Sequence, residues 1–219
     1  MKSTPFSLIA KELLLVFHPM TLVVLCLSAL VLVPNWPYAV ILLYACLCPY
    51  FNAQNAREQR DLDFSQTLPI SRQNIVFGRI GATILVEIVC IALMFIFSLI
   101  RPFTGSPNSF IGMPPNLAFL GFALLTFTVF DALFFIFHYR NPSKLGLPFI
   151  TASVPTLFVM IAFEAAPYFS SDFAHLFAQP GFANFEAQIA ILLSSAIIFA
   201  IGHLATIKFA GKNFEKIDI

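Results

Sequence analysis

The sequence predicts an all-helical protein that crosses a lipid bilayer several times, and three observations carry that prediction. Hydrophobic residues make up 59% of the 219-residue chain, charged residues only 11%, and 27 residues are phenylalanine, too little polar surface for a soluble globule. Apolar runs at 20–33, 38–53, 76–100, 117–138, 147–166 and 187–207 approach or reach the roughly 20 residues a helix needs to cross hydrocarbon. The basic residues crowd onto alternate loops, as the positive-inside rule expects of a polytopic protein. The expected architecture is a single domain over 1–219 with six spans.

Orientation follows from the same basic residues. Lys2 and Lys11 precede the first run. Arg57, Arg60, Arg72 and Arg79 lie between the second and third, Arg140 and Lys144 follow the fourth, and Lys208, Lys212 and Lys216 follow the sixth. The other side holds Arg101 alone, a bias of eleven to one that puts both termini in the cytoplasm and requires an even number of spans. A net charge of +1 gives no sign of a nucleic-acid partner.

Residues 5–18 read as an interfacial helix on the inner membrane surface. Phe6, Ile9, Leu13, Val16 and Phe17 share one helical face, while Thr4, Ser7, Lys11 and His18 mark a narrower polar one. Pro19 then turns the chain into the first span. The alternative is a frayed beginning of that span. Lys11, Glu12 and His18 argue against a cleavable signal sequence. The first two runs are short and separated only by PNWP at 34–37. They form spans if the flanking segments lengthen them and a re-entrant hairpin otherwise, with YFNAQNAREQ carrying the second helix out into water. Cys26, Cys46, Cys48 and Cys90 sit in apolar runs without the spacing of a zinc site, so no metal is expected.

The largest cytoplasmic loop reads NAREQRDLDFSQTLPISRQNIVFGR at 55–79. Arg57, Glu58, Arg60, Asp61 and Asp63 alternate with Leu62, Phe64 and Leu68, the pattern of a short amphipathic helix with mixed charge. A solvated connector needs no such apolar residues, whereas a surface that docks into a groove needs both kinds. Pro69 ends the segment, Ser71 stands at the N-cap of the third span with Asn74 at N3, and Arg79 is placed to snorkel at the lipid boundary.

With LIAKELLL at 8–15, six spans, and a second-to-third loop that runs from acidic residues through Leu-Pro-Ile-Ser-Arg at 68–72 to Ile-Val-Phe-Gly-Arg at 75–79, the chain resembles the ABC-2 class of ABC exporter permeases. It is similar in particular to the small permeases of peptide and antibiotic-resistance exporters, such as those for phenol-soluble modulins. The architecture matches over nearly the whole chain, but only the 57–79 loop is specific. The resemblance implies that Arg57, Glu58, Arg60, Asp61, Leu62, Asp63, Phe64 and Leu68 form a coupling helix seated on a separate ATP-binding subunit. It implies a second permease chain, identical or not, and an amphipathic peptide or antibiotic as cargo in the bacterial cytoplasmic membrane. It also implies short outer-face helices between the fifth and sixth spans, which 167–186 would supply.

ATP and Mg would be bound by the partner, because this chain has no phosphate-binding loop. Its one Gly-Lys pair, Gly211-Lys212, is followed by Asn213 and has Thr206 where the first glycine belongs. No cofactor of its own and no enzymatic activity are therefore expected.

Ionisable residues inside spans are candidates for function, since each is expensive in hydrocarbon. Glu87 lies eight residues beyond Arg79 and Asp131 nine before Arg140, about 12–13 Å in from the cytoplasmic edge at 1.5 Å per residue. Glu164 falls near the outer end of the fifth span and His203 near the inner end of the sixth. All four are candidates to line a pathway, with Glu87 and Asp131 on an inner vestibule; the alternative is that Glu87 and Asp131 hold helices together, with Asp131 neutralised by Arg79 or His203, while Glu164 is hydrated and His203 bonds to a carbonyl or to lipid headgroups. A proton-coupled secondary transporter using Glu87 and Asp131 is the competing function. A membrane-embedded hydrolase is disfavoured by the lack of His-Glu-x-x-His or paired-aspartate motifs.

Overall fold

A computed structural model describes residues 5–67, 69–104 and 111–217, and every regular element within them is helical. Helix α1 (Pro5–Lys11) continues as a π-helical turn through Val16, and α2 (Met20–Leu27) tightens into a 3-10 turn over Ser28–Leu32. Then come α3 (Ala39–Glu58), α4 (Asp61–Thr67) and α5 (Arg72–Ile100), the last extended by a 3-10 turn to Thr104. The chain closes with α6 (Leu117–His138), α7 (Gly146–Phe169), α8 (Ser171–Phe177) and α9 (Phe185–Glu215). Leu68 lies outside the described residues, as does the side chain of Asp63.

Among the described residues four helices are long and apolar enough to cross a membrane: α5 with its extension, α6, α7 and α9. A fifth span exists only if 6–16 and 20–32, which meet at 98°, count as one broken helix. This falls short of the six expected, and the reason is physical. Eight α-helical and five 3-10 residues over 20–32 rise about 22 Å, less than the roughly 30 Å of a hydrocarbon core. Helix α3 has the length, but its second half is polar.

Part of that polarity serves the chain itself rather than water. At the 98° bend, the His18 amide donates to Asn52 Oδ1 (2.9 Å) and Asn55 Nδ2 donates to the Val16 carbonyl (2.9 Å). The Met20 amide donates to His18 Nδ1 (3.1 Å). Backbone groups freed by the bend are thus satisfied by α3 side chains and by His18, as a bend in an apolar setting requires.

Helix α6 is the hub. Of its most apolar stretch 67% is buried, against 22–28% for α5, α7 and α9, whose outer faces keep stripes such as Ile150, Val154, Phe158 and Ile161 exposed. Helices α6 and α9 run parallel: Gly121 meets Leu192, Asp131 meets His203, and Asn213 Nδ2 donates to the Ile136 carbonyl (3.0 Å). Two glycines permit this approach. A Cβ on Gly121 would lie 3.1 Å from Leu192 backbone atoms, and one on Gly202 would strike Thr128. Helix α5 runs antiparallel to α9, with Gln73 beside Gly211 and Glu87 beside His203. Helix α1 crosses α5 where Gly78 and Gly81 leave room for Leu8 and Ile9.

At the end of the bundle opposite α4, polar side chains organise the loops. Arg101 is buried and donates to the Val31 carbonyl (2.6 Å), the Val33 carbonyl and Tyr38 Oη, which pins the 34–37 turn to the end of α5. Asn116 caps α6 through the Phe119 amide (2.9 Å) and donates to the carbonyls of Phe177 (2.7 Å) and Gln179 (2.8 Å) around α8.

Candidate functional site

Two clusters of ionisable side chains lie between the helices, about two turns apart along α5. The first is a closed ring. Lys11 Nζ contacts Glu12 Oε1 (3.2 Å) and Asp61 Oδ1 (2.6 Å); Arg79 meets the other oxygens, Nε with Glu12 Oε2 (3.1 Å) and Nη2 with Asp61 Oδ2 (2.8 Å). Each carboxylate thus bridges both cations, and each cation bridges both carboxylates. Lys11 also donates to Ser65 Oγ (2.7 Å). Glu12, Asp61 and Arg79 are buried. Two positive and two negative charges cancel, so the desolvation penalty is offset as fully as ion pairing allows. Tyr139 lies beside the ring; burial pushes its phenol up to about 12, against the opposing pull of Arg79, so it remains neutral.

The ring fixes α4. Asp61 and Ser65, one turn apart, face inward, and Leu62 packs against the core. Phe64 points away, 57% exposed, and Arg57, Glu58 and Arg60 are exposed on the bend that precedes it. The bend depends on Arg60 in a left-handed conformation (φ 52°). Arg57, Arg60 and Arg79 border a cavity of about 280 Å³ under this bend, with His138 and Ser143 opposite.

Two expectations change here, and Arg72 gains a role. Arg79 does not snorkel to lipid: it is 4% exposed and its guanidinium is held by Glu12 and Asp61. The Asp61 carboxylate is turned inward, so it is not part of an outward docking face, and Leu62 is only half-buried rather than presented. Arg72 does more than follow the Ser71 cap: its Nη1 donates to the carbonyls of Phe214 (3.1 Å) and Glu215 (3.4 Å), closing the C-terminus of α9. Ser71 itself accepts from the Asn74 amide (3.3 Å), as the spacing predicts.

The second cluster joins Glu87 of α5, Asp131 of α6 and His203 of α9. His203 Nε2 stands 3.3 Å from Asp131 Oδ2 and 3.7 Å from Glu87 Oε2, and the three residues are 3%, 0% and 3% exposed. Glu87 and Asp131 therefore share one depth, and His203 rather than Arg79 faces Asp131. They lie within the helix packing instead of on an open vestibule. Glu164 stands apart from them. Its Oε2 accepts from the Met113 amide (2.9 Å), and a Cβ on Gly112 (φ 76°) would fall on that oxygen, so Glu164 serves the 111–116 loop.

Sequence reasoning missed Glu12 as a partner and treated Lys11 only as part of a polar face. The signal was present: a Lys-Glu pair amid LIAKELLL is hard to place beside lipid unless it has partners. No family model, no curated protein and no solved structure matches this chain.

Proposed function

We propose that this chain is the permease subunit of an ATP-driven exporter of the ABC-2 class, in the bacterial cytoplasmic membrane with both termini in the cytoplasm. One observation carries the reading: α4 is bound on its inner face to α1 and α5 through the charge ring, and carries Phe64 on its outer face. A helix so attached transmits a push. A partner that seats on Phe64, Arg57, Glu58 and Arg60 and then moves would displace Asp61, and with it Arg79 on the long helix α5 and the interfacial helix through Lys11 and Glu12. A passive connector has no need of three buried charges and a half-buried lysine behind it.

In this reading the partner is a separate ATP-binding subunit that holds ATP and Mg, and two permease chains enclose the pathway. Helices α2 and α3 complete six crossings as a shorter pair joined at 34–37. The exposed stripes of α5, α7 and α9 meet lipid or the second chain, and α8 lies at the outer interface. The cargo is an amphipathic or hydrophobic peptide or antibiotic, suited to phenylalanine-rich walls.

Co-purification from native membranes tests this. The chain is expected to bring down a nucleotide-binding protein in stoichiometric amount together with ATPase activity, and Phe64→Ala combined with Arg57→Glu is expected to release it. Asp61 is a poor probe, because its loss breaks the ring. Purification of a lone oligomer without ATPase would sink the exporter reading. It would favour a proton-coupled carrier, for which the pairing of Glu87 and Asp131 with His203 is the supporting observation.

A further inference from the structure

The cluster of Glu87, Asp131 and His203 presents a charge problem that the ring does not. His203 Nδ1 lies 2.8 Å from the Phe199 carbonyl, and a carbonyl only accepts, so that nitrogen carries a hydrogen. In the neutral ring, Nε2 is then a bare lone pair facing two carboxylates. Among the described residues no lysine or arginine pairs with either carboxylate. The other ionisable groups that act on them are the thiols of Cys46 and Cys48 on α3 and Cys90 on α5, none of which brings positive charge. Glu87 Oε2 and Asp131 Oδ1 are buried without a hydrogen-bond partner. Acceptors therefore converge from three helices, and without a metal ion only a proton shared by the two carboxylates or carried on His203 Nε2 bridges them.

The spacing also has room for an ion. A direct bond between imidazolium and carboxylate closes to about 2.7–2.9 Å. Two ligands about 2.0–2.1 Å from one tetrahedral ion stand roughly 3.3–3.4 Å apart. The observed separations are 3.3 and 3.7 Å, and one ligand atom from each of the three residues lies within 4.8 Å of the other two. The Nδ1–H donated to a backbone carbonyl is also the outer-shell contact that orients a metal-binding histidine and leaves Nε2 for the ion.

We infer that Glu87, Asp131 and His203 form a binding site for a divalent transition-metal ion, Zn²⁺ by its mixed nitrogen and oxygen donors, that clamps α5, α6 and α9 at one level of the membrane. Two carboxylates and one dication are neutral together, so the loaded site is neutral without the protons that an empty one holds to limit its charge in hydrocarbon. Loading displaces any proton shared by the carboxylates, so affinity rises with pH until the ligands are fully deprotonated. The inference does not rest on the exporter reading and survives the loss of that reading.

The test uses the purified full-length chain in nanodiscs, stripped with a chelator and titrated with Co²⁺ and then Zn²⁺. One Co²⁺ per chain is expected, with the intense visible absorption of a tetrahedral site, bleached by one equivalent of Zn²⁺, and with a raised thermal midpoint. His203→Gln, Asp131→Asn and Glu87→Gln are each expected to weaken binding 100-fold or more, and His203→Cys to retain it with an added thiolate-to-cobalt charge-transfer band. Wild-type chain that takes up no Co²⁺, or only the pale spectrum of octahedral surface-bound ion, would overturn the inference whether or not the variants fold. So would Zn²⁺ binding unchanged by all three ligand substitutions. In either case the cluster holds protons alone.

Discussion

The two buried clusters are built from similar side chains and solve opposite problems. Lys11, Glu12, Asp61 and Arg79 form a closed ring in which every charge has two partners and the total is zero. Glu87, Asp131 and His203 form an open group in which two carboxylates share one imidazole. The first is complete with its own residues and acts as a mechanical joint between α1, α4 and α5. The second is completed by protons or by the metal ion inferred above, and that makes it a candidate site. Burial alone does not mark function in a membrane protein; whether the charges close among themselves is what separates a joint from a site.

The largest expected effect breaks the ring. Arg79→Met leaves Glu12 and Asp61 buried against Lys11 alone, and is expected to lower unfolding stability in detergent by about 3–5 kcal/mol. A loss under about 1 kcal/mol would show that the ring does not hold α4 in place. Next comes the approach of α6 and α9, on which the geometry of the second cluster depends. Gly202→Val forces a side chain into Thr128 and is expected to cost about 1–3 kcal/mol by thermal unfolding.

Removal of a charge from the open cluster should behave quite differently from removal of one from the ring. With chelator present, Asp131→Asn is expected to leave stability within about 1 kcal/mol of wild type or to raise it, since one uncompensated carboxylate disappears. With Zn²⁺ present, the wild type gains a thermal shift that the variant lacks. A large loss in chelator would mean that Asp131 is already as fully paired as the ring residues. The smallest effect on the chain itself is that of Phe64→Ala, expected to change stability by no more than about 0.5 kcal/mol. Co-purification with an ATPase is nevertheless expected to fall sharply, and retention of the partner would remove Phe64 from the docking face.

Much of the local architecture was legible along the chain. Pro19 marks the turn out of the amino-terminal helix, Ser71 marks the start of α5, and the long apolar runs give α5, α6, α7 and α9. The shared depth of Glu87 and Asp131 also followed from counting residues. Span number was less secure: runs at 20–33 and 38–53 fall near the length limit, and α3 spends Asn52 and Asn55 on the backbone of its neighbour.

Composition, periodicity and charge bias by themselves determined that the chain is helical, apolar and multi-pass in character, and that one loop differs from the rest. Each of these is a property of residues near one another in sequence. Tertiary structure alone decided that Asp61 turns inward to Lys11 and Arg79, and that His203 completes a group with Glu87 and Asp131. Those partners lie 18 or more residues apart, and helical spacing sets the depth of a side chain without setting which way its helix is rotated. Rotation is chosen by packing, here where Gly78, Gly81, Gly121 and Gly202 let helices close on one another and carry their charged residues into contact.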